Sequence, residues 1–244
     1  MNVSARRINT HAHLGARRGR AGRRSLRPNT QADYRSEVFL GTRSQILEAA
    51  EQLYRRLGHR KTTVIDIARE ISMSPANCYR FFRSKQAIKE AVVGRLLEQV
   101  IVAAADAARS DGSATERLQA VLQEVERLHK NRFMQERGLH DLVVIAMRGN
   151  WTSVRPYSKG MECVVAQVIA DGQTLEEFRK GDAMEVARCV LAATDFYTNP
   201  LLIGANAGYA RPTSGQMLEF CVGGLREVGG RSAQRTPSRT VSRC

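Results

Sequence analysis

Residues 63–85 constrain the fold of this chain more than any other segment, because they contain two short amphipathic helices around a tight turn. The second helix opens with Ser74-Pro75. Serine caps a helix N-terminus with its hydroxyl, and proline suits the next position because its fixed φ is already helical. We predict that this helix exposes three side chains able to bond bases or phosphates, Asn77, Tyr79 and Arg80. Such a helix pair is typical of a helix-turn-helix that reads the DNA major groove.

Positive charge is spread unevenly along the 244 residues, whose net charge is +14. Residues 1–43 have ten Lys and Arg against two acidic residues, and residues 44–93 have nine against five. Residues 94–228 have 15 against 17, and residues 229–244 have four against none. This distribution indicates a phosphate-binding module joined to a separate domain that does not bind nucleic acid.

Helical periodicity predicts the remaining elements, and no strand-like alternation is present. Capping-box spacing marks expected helix starts at Thr42–Gln45, Thr63–Asp66, Ser113–Glu116 and Asp182–Glu185. Gly58 is placed to end the first helix, and Ser84 to open a long fourth helix that ends near Ala108. Later helices are expected from Ser113 and at about 136–147, 153–170, 183–202 and 214–228, with a brief helical turn at 174–177.

The sequence therefore predicts an all-α protein of about nine helices. Three short helices at residues 42–90 form a helix-turn-helix DNA-binding domain, and a long helix joins them to a C-terminal helical bundle, residues 91–228. Residues 1–41 and 229–244 are predicted to be a disordered basic arm and tail, because they are rich in Arg, Gly and Ser and have few apolar residues.

Residues 42–90 resemble the DNA-binding domain of the tetracycline-repressor (TetR) family. The likeness rests on segments 43–50 and 57–68 and on five later residues, Ser74, Tyr79, Phe82, Ser84 and Lys85. The chain departs from the family pattern in the turn, where Ile71-Ser72 replaces the usual Ala-Gly. Serine tolerates a positive φ less well than glycine, so we expect a strained or differently shaped turn. Residues 75–78 also replace the usual x-Gly-Thr-Leu, which alters the preferred bases.

The predicted DNA contacts fall into two groups. Asn77 and Arg80 lie three residues apart on one helix face, and they are candidates for base readout because Asn can bond adenine and Arg can bond guanine bidentately. The alternative is contact with phosphate or solvent alone. The resemblance implies backbone contacts by Thr63, Ser74, Tyr79 and Lys85. Tyr79 could instead pack in the core with its hydroxyl at the rim. Three further residues complete the predicted interface, Arg43, Pro75 and Ala76.

Residues 91–228 resemble the family's effector-binding and dimerisation domain only in position and helical content. The resemblance implies a homodimer through the last two helices, and therefore a palindromic operator on double-stranded DNA. It also implies a pocket for an unknown small-molecule effector that releases DNA. Candidate pocket residues, for each of which a surface or structural role is the alternative, are His140, Asp141, Arg148, Trp151, Tyr157, Asp195 and Tyr197.

Other functional classes find little support in the sequence. The five cysteines are isolated, no metal-ligand spacing or cofactor motif is present, and no apolar run approaches the ~18–20 residues that cross a bilayer. Motifs of hydrolases, metalloproteases and phosphate-binding loops are also absent, so we do not expect an enzyme.

We predict a cytoplasmic, nucleoid-associated bacterial transcriptional regulator, a repressor that an effector releases from DNA. The alternative is an architectural DNA binder without an effector. Such a protein would be held by charge, and would show weak sequence preference and steep salt dependence.

Overall fold

The computed structural model of the protein describes residues 31–203 and 211–226. Nine α-helices lie in this part of the chain, with a 3₁₀ turn at Thr152–Val154 and no strand. They are α1 (Gln31–Leu57), α2 (Val64–Glu70), α3 (Pro75–Phe81), α4 (Lys85–Ala107), α5 (Ala114–Gln135), α6 (Arg137–Arg148), α7 (Arg155–Thr174), α8 (Ala183–Thr198) and α9 (Ser214–Leu225). The all-α prediction is confirmed. The chain divides into two units at Leu40, and every site below lies in the second.

The first helix starts earlier than its sequence signals indicate. It begins at Gln31 rather than Thr42, so the prediction of a disordered arm is wrong for residues 31–41. Residues 1–30 and the predicted tail at 229–244 lie outside the described residues. The capping-box spacing at Thr42 was misleading because the same pattern also occurs inside helices, where no cap is needed. Gly41 costs a helix interior only about 1 kcal/mol and does not stop this helix.

Side-chain caps fix five other helix starts at the expected residues. In each case the side-chain oxygen accepts a hydrogen bond from a backbone amide in the first turn, at Thr63, Ser74, Ser84, Ser113 and Asp182. Gly58 follows α1 with a φ of 83° and donates its amide to the Tyr54 carbonyl at 3.0 Å. This left-handed conformation favours glycine and ends the helix as predicted.

Two details of the C-terminal half differ from the prediction. The helical turn expected at 174–177 is wrong, because α7 itself runs to Thr174 and Glu177 instead accepts the amide of Ala114 at 3.0 Å. The helix expected to reach residue 202 ends at Thr198. Pro200 lies just beyond this end, and proline cannot continue a helix because its ring clashes with the preceding turn.

The first hydrophobic core joins helices that are far apart in sequence. Its buried side chains come from α1–α3, from the first half of α4 (residues 85–97) and from α6. The α6 members are Leu139, Leu142, Val143 and Ala146. Burying a Leu or Val side chain fully contributes about 1.5–3 kcal/mol. Helix α6 is therefore a structural part of the first core, and we call α1–α3, residues 85–97 and α6 the head.

Helix α6 approaches α1 closely because its second residue is glycine. A Cβ on Gly138 would lie 2.1 Å from the carbonyl oxygen of Tyr54 and 3.3 Å from the Cα of Gly58. The buried His59 also hydrogen-bonds the backbone of Gly138. These contacts fix the start of α6 against the end of α1.

The second core lies among α5, α7, α8, α9 and the second half of α4, and we call these elements the body. Its buried residues include Val100, Leu118, Val165 and Leu218, one from each of four helices. Helices α7 and α8 run side by side, and Arg188 of α8 pairs with Glu162 of α7 at 3.0 Å. The body is therefore a helical bundle, as the sequence predicts.

Candidate functional site

Helix α3 presents a polar face to solvent. The Ser74 hydroxyl accepts the amide of Asn77 at 3.2 Å, and Pro75 occupies the first helical position. Cys78 is fully buried and anchors the helix, whereas Tyr79 is 49% exposed. Ala76 and Arg80 are also exposed, and Asn77 is half-buried. The alternative that Tyr79 packs in the core is therefore wrong, and the exposed face contains the side chains from which base readout is expected.

The turn before α3 adopts the backbone that the family's glycine would favour. Ser72 has a φ of 52°, in the left-handed region. The amide of Met73 bonds the Ala68 carbonyl at 2.8 Å and closes the turn. A left-handed residue other than glycine costs roughly 1–2 kcal/mol. The expected strain is present at Ser72.

The cap of α2 uses its hydroxyl locally. The Thr63 hydroxyl donates to Oδ2 of Asp66 at 2.7 Å and accepts the Asp66 amide at 3.2 Å. The Thr63 amide donates to the same carboxylate at 2.8 Å, and these bonds lower the pKa of Asp66. The proton of the Thr63 hydroxyl is committed to the capping box, so a phosphate at this helix end would meet backbone amides first.

Arg43 and Lys85, both half-buried, have structural partners within the head. The Arg43 guanidinium lies 4.1 Å from the centre of the Phe82 ring and donates to the Phe81 carbonyl at 3.2 Å. Lys85 Nζ donates to the Arg60 carbonyl at 3.1 Å. Both side chains therefore position the end of α3 and the start of α4, and each keeps further N–H groups that are able to meet a phosphate.

Four exposed cations beside these helices were missed by the motif argument. They are Arg60 and Lys61 before α2, Arg69 at its end and Arg83 after α3. None of the four forms an ion pair within the described part of the chain. The signal that could have found them is the excess of basic residues in segment 44–93. Unpaired cations around an exposed short helix suit a phosphate backbone.

A cavity of about 350 Å³, partly open to solvent, lies in the body and is lined mainly by α5, α7 and α8. Of the predicted pocket residues, Tyr157 and Asp195 line it. The others do not, namely His140, Asp141, Arg148, Trp151 and Tyr197. A polar residue on an apolar helix can face a cavity or a neighbouring helix, and periodicity does not distinguish the two. His140, for example, is buried against the Phe133 ring at 5.0 Å, and the Tyr197 hydroxyl donates to the Pro212 carbonyl at 2.5 Å.

A buried polar pair lies at the wall of the cavity. The Tyr157 hydroxyl is 3.1 Å from Nε2 of His129, which is 1% exposed. Burial, with help from the charge of nearby Arg132, lowers the pKa of His129 to about 3, and burial raises that of Tyr157. Both side chains are therefore neutral at pH 7, and the imidazole is a plain hydrogen-bond partner.

Arg132 lies where the cavity wall meets the head. It is 6% exposed, and Nη2 reaches the Leu96 carbonyl only at 3.5 Å. Nε is 3.8 Å from Glu136, while Nε and Nη1 have no hydrogen-bond partner among the described residues. Glu136 in turn accepts from Arg55 of α1 at 2.8 Å. A buried charge with incomplete bonding is costly, so small movements here have large energetic effects.

Helix α6, which belongs to the head, also reaches the cavity. Met147 lines the cavity at one end of α6, and Gly138 lies on α1 at the other. Met147, Val154 and Tyr157 line the cavity and also pack against the head core. These three side chains therefore contact the cavity and the head core at once.

Within the described residues, no cluster of His, Cys, Asp and Glu is suited to hold a metal ion. Among the same residues, no helix is both long and apolar enough to span a membrane.

Two family models match the chain, one for each predicted domain. The model for bacterial regulatory proteins of the tetR family matches residues 46–92, and the model for the tetracyclin repressor-like C-terminal domain matches residues 114–208. The chain belongs to the TetR family of DNA-binding transcriptional regulators. The family is one of regulators rather than enzymes, as predicted.

Solved structures show that the whole TetR fold is shared. A protein of unknown function from Rhodococcus sp. RHA1 is 18% identical, with a TM-score of 0.55 over 76% of this chain and 95% of that one. The regulator FadR from Bacillus subtilis, solved in complex with stearoyl-CoA, is 18% identical with a TM-score of 0.55, over 75% and 99%. FadR from Bacillus halodurans is 16% identical with a TM-score of 0.52, over 75% and 99%. No curated protein matches the sequence.

Proposed function

We propose that this TetR family regulator is a homodimeric repressor that binds a palindromic operator and is released by a small-molecule effector. The observation that carries the proposal is the exposed face of α3, where Arg80 and Tyr79 point away from the buried anchor Cys78. Asn77 and Arg80 read bases. The exposed hydroxyls and unpaired cations around them hold the phosphates. The protein acts in the cytoplasm, where a bacterial regulator meets its DNA, and it has no catalytic role.

The dimer forms through α8 and α9. Phe220 on α9 is 79% exposed, and the surface between the two helices has exposed apolar and small residues, including Cys189 and Gly224. A two-fold axis through this surface gives two copies of α3, and such pairs read half-sites about one duplex turn apart.

Effector binding acts on DNA through α6. The FadR structure with stearoyl-CoA gives a precedent in this fold for a ligand with a long apolar chain, and the cavity here is lined mainly by apolar side chains. A ligand that moves Met147 shifts α6, and α6 presses on α1 through Gly138. The coupling between sites in such proteins is typically ~1–3 kcal/mol and is reciprocal, so operator DNA must weaken effector binding by the same factor.

The proposal is tested by selecting bound sites from random duplexes and then comparing Arg80→Ala with Arg83→Ala. Arg80→Ala should relax base preference at one operator position, with a loss of ~1–3 kcal/mol for the preferred base. Arg83→Ala should lower the affinity for all DNA sequences equally and reduce the salt dependence of binding by about one phosphate contact. An equal loss on all sequences for Arg80→Ala would show that it contacts phosphate only.

An architectural binder without an effector is the competing function. It predicts weak sequence preference and a steep salt slope set by many phosphate contacts. Selection that yields no palindrome, together with a salt slope that is the same for selected and unselected duplexes, would favour this alternative over the repressor.

A further inference from the structure

A second concave site lies beside the cavity at the start of α7. This site, which we call the basic groove, has a volume of about 430 Å³ and is lined by the first turns of α7 and by α8. Val154, Ser158 and Glu162 line both the cavity and the groove. The two are therefore adjoining compartments with a common wall.

The basic groove concentrates positive charge. It is lined by Arg155, Lys159 and Arg188, against the single acidic residue Glu162. Glu162 is already paired with Arg188 at 3.0 Å. Arg155 and Lys159 are exposed and form no ion pair with any described residue. They lie at i and i+4 on one helix, where like charges repel. An anionic group between them would remove that repulsion.

This concentration of charge stands out from its surroundings. Residues 94–228 have two more acidic than basic residues, and many of their cations are paired, such as Arg117 with Asp171 at 2.6 Å and Lys130 with Glu126 at 2.5 Å. The groove is thus a local positive field in a domain that is otherwise slightly negative. Such a field attracts and orients anions.

The cavity has the opposite character. Its walls include Leu122, Val125, Met161 and Leu191, and none of the described Lys, Arg or His residues lines it. At the ~30 Å³ that one water-sized group occupies in a liquid, a volume of about 350 Å³ holds on the order of a dozen chain atoms. The cavity therefore suits a medium-length apolar chain.

We propose that the effector is an amphiphile with an apolar chain in the cavity and a phosphate-bearing head in the basic groove. This assignment rests on the proposed function and names the ligand class for that site. Arg155 and Lys159 bind the phosphate, and Ser158 lies at the junction where chain and head meet. The shared chemistry is a phosphate joined to an apolar chain, directly in an alkyl phosphate monoester and through the pantetheine arm in a coenzyme A thioester.

The two carboxylates of the cavity define the competing ligand. Asp195 and Glu162 line it and would favour a cationic head. Glu162 is neutralised by Arg188, and Asp195 accepts from Nδ2 of Asn199 at 3.1 Å. The groove therefore has two cations without an ion-pair partner, whereas both carboxylates of the cavity already have partners. The phosphate-bearing head is the better match.

Calorimetric titration of the full-length protein tests the assignment with five probes, each kept below its micelle concentration. They are dodecanoyl-CoA, dodecyl phosphate, dodecanoate, dodecyltrimethylammonium and free coenzyme A. We expect the two phosphate-bearing chains to bind most tightly. Comparison of dodecanoyl-CoA with dodecyl phosphate then distinguishes the two sources of the head. Free coenzyme A, which lacks the chain, should bind at least tenfold more weakly than its thioester.

A matched pair of double variants separates head recognition from general charge. The double variant Arg155→Ala with Lys159→Ala should lower the affinity for dodecyl phosphate by about tenfold, because each exposed cation contributes roughly a threefold factor. Arg109→Ala with Lys130→Ala removes the same charge from exposed positions outside both compartments, and should leave affinity unchanged. Ala192→Phe, which places a larger side chain in the cavity wall, should weaken every probe that has a chain.

Three results would overturn the assignment. These are tighter binding of dodecyltrimethylammonium than of dodecyl phosphate, equal losses in the two double variants, or no binding of any phosphate-bearing chain at millimolar concentration. Operator binding is measured separately on the same samples. Absence of operator binding would reject the repressor proposal, whereas normal operator binding with failed ligand titrations would reject only the effector class.

Discussion

The head and the body bury their apolar side chains in different ways. In the head, residues from Ile46 to Ala146 fill a continuous core, and the polar groups of α2 and α3 are held by local caps. In the body, α5, α7 and α8 line a cavity of about 350 Å³ that is partly open to solvent. The head therefore has a continuously packed core beneath an exposed surface, whereas the body leaves a cavity between its helices.

The border between the two regions contains buried polar groups. His129, Arg132 and Tyr157 are clustered there, between the cavity and α1. Buried polar groups are sensitive to geometry because an unsatisfied one costs about 1–3 kcal/mol. A ligand in the body therefore has a stronger effect on this border than on either hydrophobic core.

The largest expected effect comes from two glycines at close approaches, one in each region. Gly138→Ala places a Cβ 2.1 Å from the backbone oxygen of Tyr54, and we expect it to destabilise the protein by about 3 kcal/mol. Gly172→Ala meets the Phe178 ring at 2.3 Å. The ring can shift in part, but the Ala114 Cβ at 2.8 Å cannot, so a loss of about 2 kcal/mol is expected. Urea unfolding measures both, and equal losses would mean that the head is no more rigid than the body.

Lowering the pH should destabilise the protein, because His129 is buried at this border. His129 has a folded pKa of about 3 and an unfolded value near 6.5. Below pH 6.5 His129 becomes protonated in the unfolded chain but stays neutral in the folded chain. The free energy of unfolding therefore decreases as the pH is lowered. Between pH 7.5 and 5.0 the loss should be about 2 kcal/mol. His59 and His140, whose pKa values are also lowered by burial, act in the same direction.

Urea midpoints at the two pH values check this expectation, with His129→Asn as the control. Asparagine does not titrate and keeps a polar side chain opposite Tyr157. The variant should lose most of the pH dependence. A variant with the same pH dependence as the original protein would show that other groups carry it.

Two buried tyrosines give a matched comparison of hydroxyl groups. Tyr157→Phe leaves His129 Nε2 without its partner and should cost about 1–2 kcal/mol. The Tyr54 hydroxyl in the head is buried with no hydrogen bond among the described residues. Tyr54→Phe should therefore be neutral or stabilising by up to ~1 kcal/mol. Thermal unfolding of the two variants measures both effects. A larger loss of stability for Tyr54→Phe than for Tyr157→Phe would show that the head depends more on its buried hydroxyl than the border does.

The smallest effect is expected at the strained turn of the head. Ser72→Gly should stabilise the protein by about 0.5–1 kcal/mol, because glycine adopts a φ of 52° without steric cost. The gain is partly offset by the greater freedom of glycine in the unfolded chain. A measured loss of stability would mean that the Ser72 side chain contributes more than its backbone strain costs.

Local signals predicted much of the head. Ser74 and Pro75 set the start of α3, the Thr63–Asp66 box set α2, and Gly58 ended α1, because each acts through atoms within one helical turn. The same reasoning misplaced the start of α1, since a capping pattern does not distinguish the start of a helix from its interior. The DNA contacts themselves stay predictions.

The cavity was much less predictable than the head. Tyr157 and Asp195 line it, but His140 and Trp151, selected by the same rule, pack elsewhere. Helical periodicity identifies the buried face of each helix, yet it does not say which buried positions meet another helix and which meet empty space. That choice depends on how several distant helices are spaced.

The order of residues by itself determined most of the helices, the exposed polar face of α3 and the placement of positive charge. These properties depend on contacts within a few residues or on composition. Only the tertiary structure decided that α6 belongs to the head core, that Gly138 lets it lie on α1, and that a basic groove adjoins an apolar cavity. Those features arise between segments far apart in sequence, where packing geometry rather than local propensity sets the free energy.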